Sequence, residues 1–410
     1  MKAVTQVDVE NASVVLLPVE HASVVLLPAT PPNTTFRATL ICLALAGAID
    51  YADRFALGGL FLPLQRAFGA SPEHISQLFL VQNLALAAFS PVWGSFADAR
   101  RFPRHRLLAV AAITWGLLTA VSACLTQLWQ LIVLRGLTGA ALAALIPTVQ
   151  SMIADMASEH RRGRLYGLVG AASWIGAVVG TVGATTVGDA DLSPFPMAGY
   201  ALVLLVLGVV SILIGVLTWF VAADPNRSPP SRGGGGGVSD CTRGLRRHVL
   251  CVPTFLLLTA QGLANSVADR SVSTFQTLWL QNVGFSDGLA SLITASTLLG
   301  CALGAACGGA LGDAAAARLP ASGRVRVAQA GMCLCALAWV VAFFALGDVH
   351  RGGGLVVVCF VGGALGAVYT PATYATQAPH PASHTRTHPT VYTPATCAPR
   401  KPPIQPLTFP

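Results

Sequence analysis

Six charged side chains stand where the surrounding sequence is almost wholly apolar. Asp50, Asp53 and Arg54 interrupt one such stretch, Arg135 a second, and Asp269 and Arg270 a third. A charge at bilayer depth costs about 2.5–3.5 kcal/mol, so each needs a reason to be there. Asp50 and Arg54 are four residues apart and share one face of a helix, where they can pair. Asp53, three residues from Asp50, can reach the same cavity. Burial raises the pKa of a carboxylate and a neighbouring arginine lowers it, and together they poise it to exchange a proton. Asp269 and Arg270 are adjacent, so they point about 100° apart on a helix and do not pair directly. The alternative is structural: buried ion pairs that link two halves of a bundle.

Other chemistry is not represented. There is no His-Glu-x-x-His, no Gly-x-Ser-x-Gly and no cluster of histidines inside the apolar stretches, so the sequence does not read as an enzyme. Eight of the ten cysteines (Cys42, Cys124, Cys251, Cys301, Cys307, Cys333, Cys335 and Cys359) lie in apolar runs and read as small hydrophobes. The glycine run Gly233–Gly237 has no strand before it and no Gly-Lys-Ser/Thr after it, which makes it a tether and not a phosphate loop. His380, His384 and His388 sit among prolines that exclude a helix, so no metal site and no cofactor are expected.

The elements that must position these charges are membrane helices. Of the 410 residues 54% are apolar and only 10% charged, against about 25% charged in soluble proteins. Too little polar surface remains to face water all round, so lipid must cover most of the chain. The net charge of +8 is scattered in short clusters with no aromatic-interleaved stripe, which argues against nucleic acid. Apolar stretches of about 20 residues predict ten helices, near 38–63, 75–97, 107–127, 129–154, 164–187, 197–223, 249–271, 288–311, 325–346 and 355–376. The connections after the even-numbered helices hold fifteen arginines and those after the odd-numbered ones only Arg66 and Arg351. That asymmetry predicts a cytoplasmic N-terminus and a cytoplasmic linker at 224–248. Residues 1–36 read as a tail in which Ala12–Pro18 recurs as Ala22–Pro28, consistent with a short pair of edge strands or with disorder. The Pro-, Thr- and His-rich segment 377–410 is expected to be disordered.

The two sides of the linker resemble each other. Ala52-Asp53-Arg54 recurs as Ala268-Asp269-Arg270, Leu64-Gln65 as Leu280-Gln281, and Gly94-x-x-x-Asp98 as Gly309-x-x-x-Asp313. Two parallel repeats of six helices with a site between them is a transporter plan. The stretch from Gly94 through Asp98 to Arg104 resembles the loop 2–3 signature of the major facilitator superfamily, with Ala99 at the usual basic position and Arg101 at the usual glycine. Leu134-Arg135-Gly136-Leu137-Thr138-Gly139 resembles its helix 4 motif. Asp50-Tyr51-Ala52-Asp53-Arg54 and Ile153-Ala154-Asp155-Met156 are most similar to the Spinster-like subfamily, although Leu142 stands where those proteins carry a glutamate. On this resemblance the repeat partner of the sixth helix would end beyond residue 410, so helices 11 and 12 are expected to be missing.

The fold class expected is therefore an all-α integral membrane bundle of the major facilitator type, two pseudo-repeats with ten of the usual twelve helices. The resemblance implies a secondary transporter of a small organic or amphipathic solute, such as a lysolipid, with a proton as coupling ion. A non-transporting truncated relative is the alternative. Asp50, Asp53, Arg54, Arg135, Asp269 and Arg270 are the candidates for coupling and the substrate cavity. Gly94, Asp98, Arg100, Arg101, Arg104, Gly309 and Asp313 are assigned by resemblance to the gating loops.

Overall fold

The computed structural model describes residues 6–9, 12–15, 25–26, 33–98, 102–188, 197–224, 253–320, 322–345 and 352–377. With so few polar side chains, backbone groups in lipid must bond within their own segment, and helix answers that demand. Twelve α-helices follow among the described residues: α1 Asn33–Gly59, α2 Phe61–Phe68, α3 Pro72–Asp98, α4 Arg104–Ser122, α5 Leu128–Leu142 and α6 Leu145–Met156. The others are α7 Arg162–Val187, α8 Gly199–Val221, α9 Pro253–Val283, α10 Asp287–Arg318, α11 Gly323–Ala345 and α12 Gly352–Gln377. In the tail, β1 Gln6–Val9, β2 Ala12–Val15 and β3 Val25–Leu26 form an antiparallel sheet. Val14 faces Leu26 and Val15 faces Val25, so the two copies of the ten-residue repeat pair with each other.

All ten predicted helices are present, and two of them are broken. The first becomes α1 and α2, the fourth α5 and α6. Each second piece carries a proline in its first turn, Pro63 and Pro147. A proline has no N–H to give to the residue four back, so the continuous helix stops before it. Pro91 and Pro371 instead lie inside α3 and α12, which continue through them. α1 starts at Asn33, inside the stretch read as tail, so Asn33-Thr-Thr35 is helical. α9 runs twelve residues past its predicted end to Val283, because its polar stretch around Asp269 imitates a span end. The linker beyond Asp224 and the tail beyond Gln377 lie outside the described residues.

Eight helical segments are long and apolar enough to cross a membrane by composition alone. α1 and α9, which carry the charged candidates and occupy equivalent places in the two repeats, are not among those eight in the described residues. Large apolar side chains such as Phe220 and Phe344 point outward, 80% and 83% exposed, as a lipid-facing surface requires. Inside, the helices meet along glycines. A Cβ on Gly176 or Gly180 of α7 would strike the backbone of Ala48 or Ala52 of α1, and Gly300, Gly304 and Gly308 of α10 meet the carbonyls of Phe360, Ala364 and Val368 of α12. Such contacts let backbones approach where side chains would hold them apart.

The first half, α1–α8, and the second, α9–α12, touch chiefly where α7 packs on α10. Gly163 and Gly167 of α7 lie against Gly309 and Ala305 of α10. The start of α7 and the later turns of α10 lie at the arginine-rich face of the bundle, together with the start of α4 and the ends of α6 and α8. The ends of α1, α7 and α9 and the starts of α3 and α10 lie at the opposite face.

Candidate functional site

Arg54 donates from Nε to Asp50 Oδ1 at 2.7 Å, one turn apart on α1. Successive turns of a helix bring residues four apart onto one face, so this pair follows directly from sequence spacing. Asp53 points elsewhere. Arg135 of α5 donates from Nη1 to both of its carboxylate oxygens at 3.2 Å, and both side chains are 0% exposed. The four charges cancel pairwise. Neither pair bridges the halves: one lies within α1, the other joins α1 to α5. Neither Asp50 nor Asp53 is among the residues lining the cavity between the halves.

That cavity, about 50 Å3, lies between the halves toward the opposite face. Arg54 and Phe55 of α1, Gln82 of α3 and Thr181 of α7 line one side, and Thr277 of α9 and Thr294 of α10 the other. At roughly 10–15 Å3 per water it holds a few water-sized groups. Thr277 donates its hydroxyl to Thr294 at 3.0 Å, and Thr294 donates to the carbonyl of Ala290. Arg54 Nη2, Gln82 Oε1 and Thr181 Oγ1 are buried without a hydrogen-bond partner in the protein. Buried polar atoms are seldom left so. Gln82 and Thr181 were not singled out from the sequence, because attention to charge passes over neutral polar groups. The signal was present in the pair Gln82-Asn83, two amides at bilayer depth in an apolar run.

Three phenylalanines from the two halves meet toward the opposite face. Phe61 of α2, Phe79 of α3 and Phe275 of α9 stand with ring centroids 5.7–6.4 Å apart, within the range of favourable aromatic contact. Tyr51, Phe55 and Trp174 form a second aromatic group beneath, with centroids 5.1–6.0 Å apart. Trp115 is fully buried and donates its indole N–H to Ser211. Pairing of its indole N–H allows that burial.

At the arginine-rich face Asp313 does the joining. Its carboxylate accepts from the backbone N–H groups of Gly163 and Arg164, 3.0 and 2.9 Å, at the start of α7, and from Arg324 Nη2 at 3.1 Å. The first N–H groups of a helix lack partners within it and present partial positive charge, so a carboxylate there is favoured. A Cβ on Gly163 would collide with Asp313 and Gly309, which is why glycine stands there. Asp313 lies five residues before the end of α10 and not at its tip. Arg104, the first residue of α4, makes three contacts with the carboxylate of Asp224 and one, at 2.7 Å, with Asp155. It ties together the ends of α6 and α8 within the first half. Gly94 lies in α3 with open space around it. Asp98 ends α3, and Asp269 and Arg270 lie on α9, but their side chains, like Arg100 and Arg101 altogether, fall outside the described residues.

A family model described as Major Facilitator Superfamily matches residues 43–394. The chain is similar to a triacylglyceride transporter of Mycolicibacterium hassiacum, 29% identical over 37% of this chain and 29% of that protein. It is also similar to protein spinster homolog 1 of Xenopus laevis, 25% identical over 47% of this chain and 36% of the relative. A third relative is a sphingosine-1-phosphate transporter of Mus musculus, 27% identical over 29% of this chain and 22% of that protein. The matched part thus spans about a third or less of these relatives. A solved structure described as a bacterial homolog to the human lysosomal transporter Spinster, inward-facing and unoccupied, superposes with a TM-score of 0.60 at 19% identity. It covers 84% of this chain and 79% of that one.

Proposed function

The chain belongs to the major facilitator superfamily, and from that premise we propose that it moves a small amphipathic solute across a membrane by alternating access, coupled to protons. Membership assigns it to transport, not to enzymatic chemistry. The observation that carries the reading is the polar cavity at the junction of α1, α3 and α7 with α9 and α10. It holds only a few water-sized groups, so a larger solute enters when the halves part. The relatives named for triacylglycerides and sphingosine-1-phosphate support a lipid-like solute. The fifteen arginines support a cytoplasmic arginine-rich face and N-terminus.

Asp53 is the coupling carboxylate in this reading. A buried pair broken by removing one partner loses about 3–5 kcal/mol, so protonating Asp53 frees Arg135 and biases α1 against α5. Asp53→Asn mimics the protonated form. In proteoliposomes it should retain exchange of pre-loaded solute and lose accumulation driven by a pH gradient. Gradient-driven accumulation that survives the substitution removes Asp53 from the coupling. The same vesicles report orientation: a lone cysteine placed in 224–248 of a cysteine-free variant should react with impermeant thiol reagents only from the cytoplasmic side.

A further inference from the structure

Arg106 stands near the start of α4 on the outer surface of the bundle, with no carboxylate at ion-pair distance among the described residues. Its guanidinium lies instead over the indole of Trp219, 5.5 Å from the ring centroid and two residues before the end of α8. Both side chains are exposed. α4 and α8 run antiparallel with their backbones in contact. A Cβ on Gly116 would strike the carbonyl of Gly208, and one on Gly215 would press on Ile113. The same register sets Val110 beside Val216 and Leu117 beside Val209, all four exposed. A cation thus heads an apolar strip about three turns long, on the kind of surface that lipid must cover. We propose that this strip docks one anionic glycerophospholipid, with its phosphate on Arg106 and its acyl chains along α4 and α8.

The pair is suited to a phosphate. A cation over a tryptophan face is attracted by the ring, which steadies the guanidinium and leaves its N–H edge to meet two phosphate oxygens at once. Tryptophan also favours the depth of the lipid head groups. Charge selects the anionic class. The carboxylates described at this end of α4, α6 and α8 are Asp155 and Asp224, and Arg104 holds both. Arg162 donates to the carbonyl of Ala154, next to Asp155. Two arginines therefore stand against two carboxylates, and Arg106 is the surplus. In sequence, Asp98, Arg100 and Arg101 just before α4 add one more positive charge. A zwitterionic head group brings its own cation to such a place, whereas an anionic one answers the surplus.

The site is independent of the transported solute, because it lies on the outer surface and is read by binding alone. The test reconstitutes the 410-residue protein in phosphatidylcholine vesicles, with brominated phosphatidylglycerol or brominated phosphatidylcholine replacing an equal share of the lipid. Bromine quenches nearby indole fluorescence. Subtracting the signal of Trp219→Phe, made in each background, isolates Trp219 among the seven tryptophans. Trp219 should select phosphatidylglycerol about 5-fold over phosphatidylcholine, the effect of one charge near a membrane surface. Arg106→Gln should bring the two lipids to parity and leave quenching by phosphatidylcholine as it was, with the indole still on the lipid side. Arg106→Lys keeps the charge and should keep the preference. Parity in the wild type overturns the site. A preference that survives Arg106→Gln overturns the role of Arg106, and its loss in Arg106→Lys overturns selection by charge.

Discussion

At the arginine-rich face the halves meet through a carboxylate and a helix start, whereas at the opposite face they meet through three phenylalanine rings. Asp313 holds Gly163, Arg164 and Arg324 with hydrogen bonds of 2.9–3.1 Å. Opening that contact lets water replace each bond, so its net strength is set by burial and local charge. Phe61, Phe79 and Phe275 hold the other face with apolar area, and opening it exposes ring surface at about 25 cal/mol per Å2. In the transport cycle proposed above, one contact between the halves is perturbed by ions and the other is not. That difference predicts that the two faces respond to different perturbations.

The largest effect expected is at the carboxylate. Asp313→Ala removes a helix cap and charge-assisted hydrogen bonds at once, and should shift the balance toward an open arginine-rich face by about 3 kcal/mol. Spin labels at Arg164 and Arg318, both exposed, should move apart on average. An unchanged distance distribution would mean that the glycine contacts of α7 and α10 alone hold this face. Phe275→Ala should act on the other face by about 2 kcal/mol, less than a full ring because Phe275 is only half-buried. Labels on the ends of α1 and α9 should separate while those on α7 and α10 stay together. Coupled movement of both pairs would merge the two closures into one. The smallest effect separates their chemistry: raising salt to about 1 M should loosen the carboxylate contact by about 0.5 kcal/mol and leave the aromatic one in place.

The sequence made some of this legible. Asp50 and Arg54 pair because four residues make one turn, and the polar face of the linker side announced itself in arginines. The partner of Asp53 did not show. Arg135 is 82 residues away, and only the packing of α1 against α5 brings them together. Asp313 was readable as a repeat of Asp98 but not as the cap of α7, since nothing in a linear string says which helix start it meets. The breaks at Pro63 and Pro147 were written plainly in proline chemistry but were masked by the unbroken apolar runs around them. Gln82 and Thr181 were hidden by their neutrality.

The charge on α1 also sets a timetable for manufacture. Asp50, Asp53 and Arg54 put three charges on α1, which is not among the eight segments apolar enough to cross a membrane by composition in the described residues. Asp50 brings its own counter-ion one turn later, but Asp53 must wait for Arg135. At about 5–20 residues per second, the 82 residues between them take roughly 4–16 s to synthesise. Through that interval Asp53 lacks the partner that it has in the finished fold. A slow codon run between α1 and α5 would lengthen that interval without changing a single amino acid of the finished protein.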